Sequence, residues 1–130
     1  MPEHVLAGTV VRRNDIAAVD APFGSLRWMA NQKVVPGIEQ TFGVVTIKPG
    51  QHNPLHYHPN CEELLYVLSG ECDHRLNNQV VHMASGDLIH VPRGVHHNAT
   101  CTTAEPLQIV VSFSSPDRQT VNLEDSSALG

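Results

Sequence analysis

The residues best suited to chemistry in this sequence lie in two short histidine clusters. In the first, His56 and His58 are separated by one residue, and Glu62 and Glu63 follow a Pro59-Asn60 turn. Residues i and i+2 of an extended strand point to the same face, so both imidazoles face the same way. A carboxylate that begins the next antiparallel strand can return to face them. We favour Glu63, because an inward polar side chain needs a partner and a metal supplies one.

The second cluster is the pair His96 and His97, which opens a strand after the turn Pro92-Arg93-Gly94. Adjacent residues of a strand point to opposite faces, so only one of these imidazoles faces inward. Neutral imidazole is the commonest metal ligand in proteins, and this chain of 130 residues has nine histidines. The two clusters therefore suggest a metal site, and local spacing leaves the choice between His96 and His97 open.

Short strands must position both clusters. Apolar runs rich in β-branched residues recur between Gly, Pro and Asn turn signals, which is typical of an all-β sandwich or barrel. The predicted strands are Val5–Val11, Leu26–Val35, Thr41–Lys48, Leu64–Leu68, Cys72–Leu76, Val80–Met83, Leu88–Val91 and Leu107–Phe113. We expect residues 114–130 to form a polar, irregular tail with a short helical turn near Leu123. This pattern suits a double-sheet jelly roll, although spacing alone does not exclude an immunoglobulin-like sandwich.

The first cluster resembles the first motif of the cupin superfamily. That motif is a glycine, five residues, His-x-His, three or four residues, Glu, six residues and a glycine. The matching positions are Gly50, His56, His58, Glu63 and Gly70. Glu62 in place of Glu63 breaks the six-residue step to the final glycine, so the resemblance agrees with the choice of Glu63.

The second cluster resembles the second cupin motif, which is a glycine, five residues, Pro-x-Gly, two residues and His. Gly86, Pro92, Gly94 and His97 match it in register, which selects His97 over His96. The family often has Asn four residues after this His, where the chain has Cys101. The segment between the motifs is short, as in small microbial single-domain cupins.

The resemblance implies an all-β double-stranded β-helix, or jelly-roll barrel, formed by a single domain over residues 1–130. Motif 1 spans residues 50–70 and motif 2 spans residues 86–98. It implies one divalent transition metal per chain, and the ligand types do not choose among Fe, Mn, Zn, Ni, Co and Cu. The implied ligands are His56, His58, Glu63 and His97. It also implies a homodimer, with Val5–Val11 as a plausible exchanged strand.

A metal with open coordination positions in an apolar barrel predicts an enzyme that acts on a small molecule. Iron predicts dioxygenase chemistry, whereas Zn, Ni or Mn predicts an isomerase, lyase or decarboxylase. No sequence feature identifies a general base, so catalytic residues other than metal ligands stay unassigned. The alternative is a non-catalytic protein that binds or senses a metal or small molecule, because fold does not fix function.

Charge and hydropathy argue against several other classes. Only eight Lys and Arg residues occur in a chain of net charge −5, so the basic surface of a nucleic-acid binder is missing. No stretch approaches the roughly 20 apolar residues of a membrane-spanning helix. No secretory signal is visible, so the expected location is the cytoplasm. The three cysteines form no CxxC pair and are expected to be free thiols.

The other histidines have ordinary structural explanations. His82 and His96 are expected to face solvent. His74 and His90 lie in predicted strands, and each is a candidate to line the cavity. His52 lies in a loop from which it could approach the barrel mouth.

Among the remaining residues, Cys61 is expected to be a small buried hydrophobic side chain. The predicted core includes Phe42, Tyr66, Ile109 and Phe113. Four basic residues are candidates to bind an anionic substrate, although solvated surface charge is the expected role of each: Arg27, Lys48, Arg75 and Arg93.

Overall fold

The computed structural model describes residues 6–124, which form two antiparallel β-sheets. The strands are β1 Val19–Ala21, β2 Gly24–Ala30, β3 Thr41–Ile47, β4 His56–Tyr57, β5 Glu63–Ser69, β6 Cys72–Leu76, β7 Gln79–Met83, β8 Leu88–Val91, β9 His97–Cys101, β10 Leu107–Phe113 and β11 Val121–Asn122. The first sheet has the order β1-β2-β3-β10-β5-β8, and the second has the order β11-β4-β9-β6-β7. The predicted all-β barrel is confirmed.

Helical structure is almost absent from the described part of the chain. Within residues 6–124, the one helical element is a 3₁₀ turn at Arg13–Asp15. No helix among these residues has the length and apolar character needed to cross a membrane.

The core lies between the two sheets because buried and outward-facing residues alternate along the strands. The odd-numbered residues of β10, from Leu107 to Phe113, are all buried, as are Leu65 and Val67 of β5. The second sheet adds Cys72 and Cys101, which lie directly opposite one another in register. Cys61 is also buried, and all three cysteines are free thiols.

The alternation places two predicted core residues on the outside. The prediction for Phe42 and Tyr66 is wrong, since their side chains are 39% and 40% exposed. Phe42 follows the buried Thr41, and Tyr66 lies between the buried Leu65 and Val67, so both point away from the core. The prediction for Ile109 and Phe113 is confirmed.

The predicted N-terminal strand is also wrong where the structure describes it. Residues 6–11 form no strand, and Val5 lies outside the described residues. The predicted strand Leu26–Val35 ends early, at Ala30. Here the side chain of Asn31 accepts hydrogen bonds from the backbone N–H groups of residues 33 and 34, which stabilises a turn.

Residues 116–124, which we call the C-terminal strap, run back across the barrel. The helical turn predicted near Leu123 is wrong, because β11 pairs with β4 and places Asn122 opposite His56. Leu123 donates its backbone N–H to the carbonyl oxygen of Leu55 at 2.8 Å. The strap therefore lies against the strand that begins the histidine cluster.

Candidate metal centre

Four side chains from the two sheets converge at one point between them. His56 lies in β4 and His58 follows it, while His97 begins β9 and Glu63 begins β5. His56 and His97 are direct partners across β4 and β9. One potential ligand atom from each of the four residues lies within 4.8 Å of all the others. The structure thus brings together the whole set of residues predicted from the two motifs.

The cluster is largely shielded from water. His58, Glu63 and His97 are only 3%, 4% and 2% exposed, and His56 is half-buried. A buried carboxylate is costly unless a charge or hydrogen-bond donor compensates it. The site must therefore supply positive charge or donors to Glu63.

Backbone carbonyl groups orient the three imidazoles. The Nδ1 atoms of His56, His58 and His97 lie 2.6, 2.9 and 2.9 Å from the carbonyl oxygens of Pro54, Gln119 and Val95. A carbonyl oxygen only accepts hydrogen bonds, so each Nδ1 carries a proton, and each ring in its neutral form presents an unprotonated Nε2. Metal-binding histidines are commonly held in this way by a partner at the other ring nitrogen.

The unprotonated Nε2 atoms face the Glu63 carboxylate. Its Oε1 lies 2.9 Å from Nε2 of His97 and 3.3 Å from Nε2 of His58. With each proton on Nδ1, these contacts join lone pairs to lone pairs, which is unfavourable unless a cation or a proton lies between them. Nε2 of His58 is buried and makes no hydrogen bond. The arrangement fits a shared cation.

Burial and the neighbouring side chains together favour the protonation states that metal binding requires. It lowers the pKa of His56 to about 3, and the neighbouring His97 adds to the effect. Burial alone raises the pKa of the Glu63 carboxyl, but the contacts with His58 and His97, which become hydrogen bonds when Nε2 carries a proton, outweigh it and bring that pKa to about 2. At neutral pH, His56 is therefore neutral and Glu63 is an anion, which are the forms that bind metals.

The size of the cluster also fits one ion. Opposite ligands of a single metal lie about twice the bond length of about 2.0–2.2 Å apart. The four ligand atoms all lie within 4.8 Å of one another, which exceeds that span by less than an ångström. Three imidazoles and one carboxylate suit a divalent transition metal.

The two alternatives that local spacing left open lie outside the cluster. The exposed ring of His96 stacks on Tyr57 with the ring centres 5.1 Å apart. The exposed carboxylate of Glu62 contacts Nε2 of His90 at 2.6 Å. The inward positions belong to His97 and Glu63, as the motif register predicts.

Of the other histidines, His74 lines the cavity beside the cluster and His90 does not. The ring of His74 is buried and lies nearly parallel to that of His97, at 10° and with centres 6.0 Å apart. His82 faces solvent as predicted, between the carboxylates of Glu71 and Asp73. His52 is half-buried and lies 3.5 Å from Glu124 of the strap.

A cavity of about 310 Å³ opens beside the four ligands. The second sheet and the chain leading into it contribute mostly polar groups, among them the three imidazoles of the cluster and His74. The first sheet contributes an apolar wall, which comprises Leu26, Trp28, Val45, Leu65 and Ile109. A ligand in this cavity meets metal-type donors on one side and hydrocarbon on the other.

The strap adds functional groups that no sequence motif selects. Arg118 and Thr120 line the cavity, and the carbonyl group of Gln119 orients His58. None of the four basic residues predicted as candidates lines this cavity: Arg27, Lys48, Arg75 and Arg93. The sequence of the strap has no hydrophobic periodicity that would indicate where its polar side chains lie. Their position at the cavity depends on the pairing of β11 with β4.

Comparison with known proteins places this geometry in a family. The Cupin domain family matches residues 43–113, which include all four clustered residues. The rhicadhesin receptor of Pisum sativum is 33% identical over 115 residues, which cover 82% of this chain and 52% of that protein. The polyketide synthase protein TcmJ of Streptomyces glaucescens is 24% identical over 110 residues, covering 85% of this chain and 74% of that one. The chain spans about half the length of the plant relatives it matches.

The fold has close counterparts among solved structures. Oxalate decarboxylase of Lactobacillus farciminis, solved as a formate complex, superposes with a TM-score of 0.79 at 25% identity. The superposition covers 85% of this chain and 34% of that one. Oxalate decarboxylase of Bacillus subtilis gives a TM-score of 0.80 at 23% identity, covering 86% and 31%. These likenesses agree with the two-sheet barrel described above.

The buried ring of His74 predicts a pH dependence of stability. Burial, followed by repulsion from His97, lowers its pKa to about 4, whereas an unfolded histidine has a pKa of about 6.5. The unfolded chain therefore binds more protons in this window, and the metal-free protein loses stability as the pH falls through it. His74→Leu should reduce the loss of unfolding free energy between pH 7 and pH 4.5 by roughly 2 kcal/mol.

Urea unfolding of the chelator-treated protein at several pH values measures this effect. His96→Leu is the matched control, since it removes an exposed ring, and it should keep the wild-type pH dependence. If His74→Leu and the wild type lose the same free energy between these pH values, the neutral state assigned to His74 is wrong.

Proposed function

Because the chain belongs to the cupin family, we propose that it is a metalloenzyme that holds one divalent transition metal through His56, His58, Glu63 and His97. The proposed substrate is a small oxygen-bearing molecule that binds in the adjoining cavity. One observation carries the proposal. Carbonyl oxygens hold all three imidazoles at Nδ1, and the Nε2 atoms of His58 and His97 lie 3.3 and 2.9 Å from the buried carboxylate of Glu63.

Different residues of the site have different roles in this proposal. The imidazoles and Glu63 hold the metal, so the Glu63 carboxylate is a ligand and is not free to act as a general base. The apolar wall of the first sheet excludes water from the cavity, which strengthens electrostatic interactions inside it. Such a site orients a substrate that chelates the metal. The polar groups of the second sheet are then free to contact that substrate.

The identity of the metal selects the reaction class. A metal there supplies Lewis-acid chemistry for an isomerase, lyase or decarboxylase if it is Mn, Ni or Zn, and dioxygenase chemistry if it is Fe. The 25% identical Lactobacillus farciminis protein is an oxalate decarboxylase, which favours the first group. A decarboxylase or related lyase is therefore the first activity to test.

The alternative is a cupin that binds a metal or small molecule without turnover. The rhicadhesin receptor, which is 33% identical, is named as a receptor, and this name supports the alternative. The two proposals differ in turnover. Metal-loaded protein should consume a carboxylic acid or dioxygen catalytically if it is an enzyme, and should do neither if it is a binding protein.

We also propose that the chain forms a homodimer through its first sheet. The outer face of this sheet exposes Leu64, Tyr66, Leu68 and Leu88 at 40–56%. Neighbouring exposed apolar side chains of this kind commonly mark an interaction surface. Light scattering at micromolar concentration should give the mass of a dimer, and the mass of a monomer would contradict the proposal.

Metal content tests the proposed ligands through two matched pairs of variants. His97→Ala and Glu63→Gln each remove one ligand, whereas His96→Ala and Glu62→Gln make the same changes one residue away, on exposed side chains. Wild type and the two control variants should hold about one metal ion per chain, and the two ligand variants should lose most of it on dialysis, because a buried site with a missing ligand is open to exchange.

Elemental analysis of the proteins purified in parallel gives this measurement. Circular dichroism shows whether each variant retains its β-structure, so loss of metal is separated from loss of fold. Equal metal in folded His97→Ala and His96→Ala would overturn the assignment of His97 as a ligand.

A further inference from the structure

We propose that the cavity selects an organic anion with a hydrocarbon body, whose carboxylate binds Arg118 and whose body packs on the apolar wall of the first sheet. This inference deepens the proposed function and rests on it for the reacting group. The proposed ligand class differs from oxalate, the small dianion after which the structurally similar decarboxylases are named. Oxalate has no hydrocarbon body to bury.

Arg118 is placed to receive an anion. Its guanidinium carbon lies 4.1 Å from the centre of the Trp28 ring and 5.2 Å from that of Phe113. Of its five N–H donors, one is used by the hydroxyl oxygen of Thr120. Within residues 6–124, no carboxylate forms an ion pair with it. The guanidinium therefore retains donors for a bidentate contact with a carboxylate.

The balance of charge in the cavity favours the same ligand. Among the described residues that line it, Glu63 and Arg118 are the only Asp, Glu, Lys or Arg side chains. Glu63 is engaged by His58 and His97. Burial lowers the pKa of Arg118, and the negative charge of Glu63 offsets part of this effect. An anion bound there would restore the electrostatic stabilisation that water no longer provides.

The apolar wall requires a ligand with more than a charged group. Val45, Leu65 and Ile109 of the first sheet line the cavity together with Phe23 from the turn between β1 and β2, and these four residues are at most 6% exposed. A volume of about 310 Å³ is at the small end of ligand pockets, which run from about 300 to 1,000 Å³. A short aliphatic or single-ring carboxylate suits both this volume and this wall.

Arg118 also lies beyond the residues that the Cupin domain family matches. The Cupin domain match ends at residue 113, whereas Arg118 belongs to the strap. Thr120, which contacts Arg118, also lies 3.2 Å from Nδ1 of His58. The strap therefore joins the anion-binding group to the metal cluster, so the selectivity proposed here depends on residues specific to this segment.

Trp28 provides the test, because it is the only tryptophan in the chain and lines the cavity below Arg118. Its fluorescence is titrated with acetate, butanoate, hexanoate, oxalate and the neutral 1-hexanol, using protein with and without Mn(II). Affinity should rise by about fourfold for each buried methylene from acetate to hexanoate. Hexanoate should bind at least about tenfold more tightly than 1-hexanol, because a desolvated charged hydrogen bond is lost in the alcohol.

Two variants assign the effect to Arg118. Arg118→Gln should reduce hexanoate affinity to that of 1-hexanol and leave 1-hexanol binding unchanged, and Arg118→Lys should restore part of the difference. Arg93→Gln is the matched control, since Arg93 is exposed and does not line the cavity. It should behave as the wild type. Unchanged binding of 1-hexanol shows that a variant retains the folded cavity.

The outcomes separate this inference from the proposed function. Equal affinities for acetate and hexanoate, tighter binding of oxalate than of hexanoate, or no effect of Arg118→Gln would each overturn the proposed ligand class, even if Mn(II) binds. Selective hexanoate binding by a protein that retains no metal would support the ligand class and overturn the metalloenzyme proposal.

Discussion

The structure is organised around the convergence of unprotonated nitrogen and carboxylate lone pairs at one buried point. Carbonyl groups hold the three imidazoles at Nδ1, and the Nε2 atoms of His58 and His97 face the Glu63 carboxylate rather than a hydrogen-bond donor. Such an arrangement is unfavourable without a cation. Burial keeps His56 neutral by lowering its pKa, whereas the contacts with His58 and His97 overcome the effect of burial on Glu63 and keep its carboxyl ionised. The site is thereby ready to bind a metal without first releasing protons from these two groups.

The two-sheet barrel supplies this convergence from elements that are distant in sequence. The second sheet holds His56 and His97 as register partners, and the alternation of β5 turns Glu63 inward from the first sheet. The strap then closes one side by pairing with β4, and it contributes both the carbonyl group that orients His58 and the guanidinium of Arg118. The strap therefore positions both a metal ligand, His58, and the proposed anion-binding group, Arg118.

The metal cluster was predictable from sequence because its four residues belong to two short motifs with fixed spacing. The i, i+2 spacing of His56 and His58 and the two motif registers suffice to name the residues that meet. The exposure of Phe42 and Tyr66 was also predictable, because counting alternate residues from Thr41 and Glu63 places both side chains on the outer face. The predictions were wrong because they relied on residue type alone. Arg118 was not predictable, since its position depends on β11 pairing with a two-residue strand more than sixty residues earlier.

The central claim is that His56, His58 and His97 are held with the proton on Nδ1 so that Nε2 binds the metal. NMR of the protein labelled with ¹⁵N in histidine, recorded before and after one equivalent of Zn(II), tests it most directly. We expect three rings with protonated Nδ1 whose Nε2 resonances alone move on addition of zinc. Rings protonated at Nε2, or Nε2 resonances that ignore zinc, would contradict it.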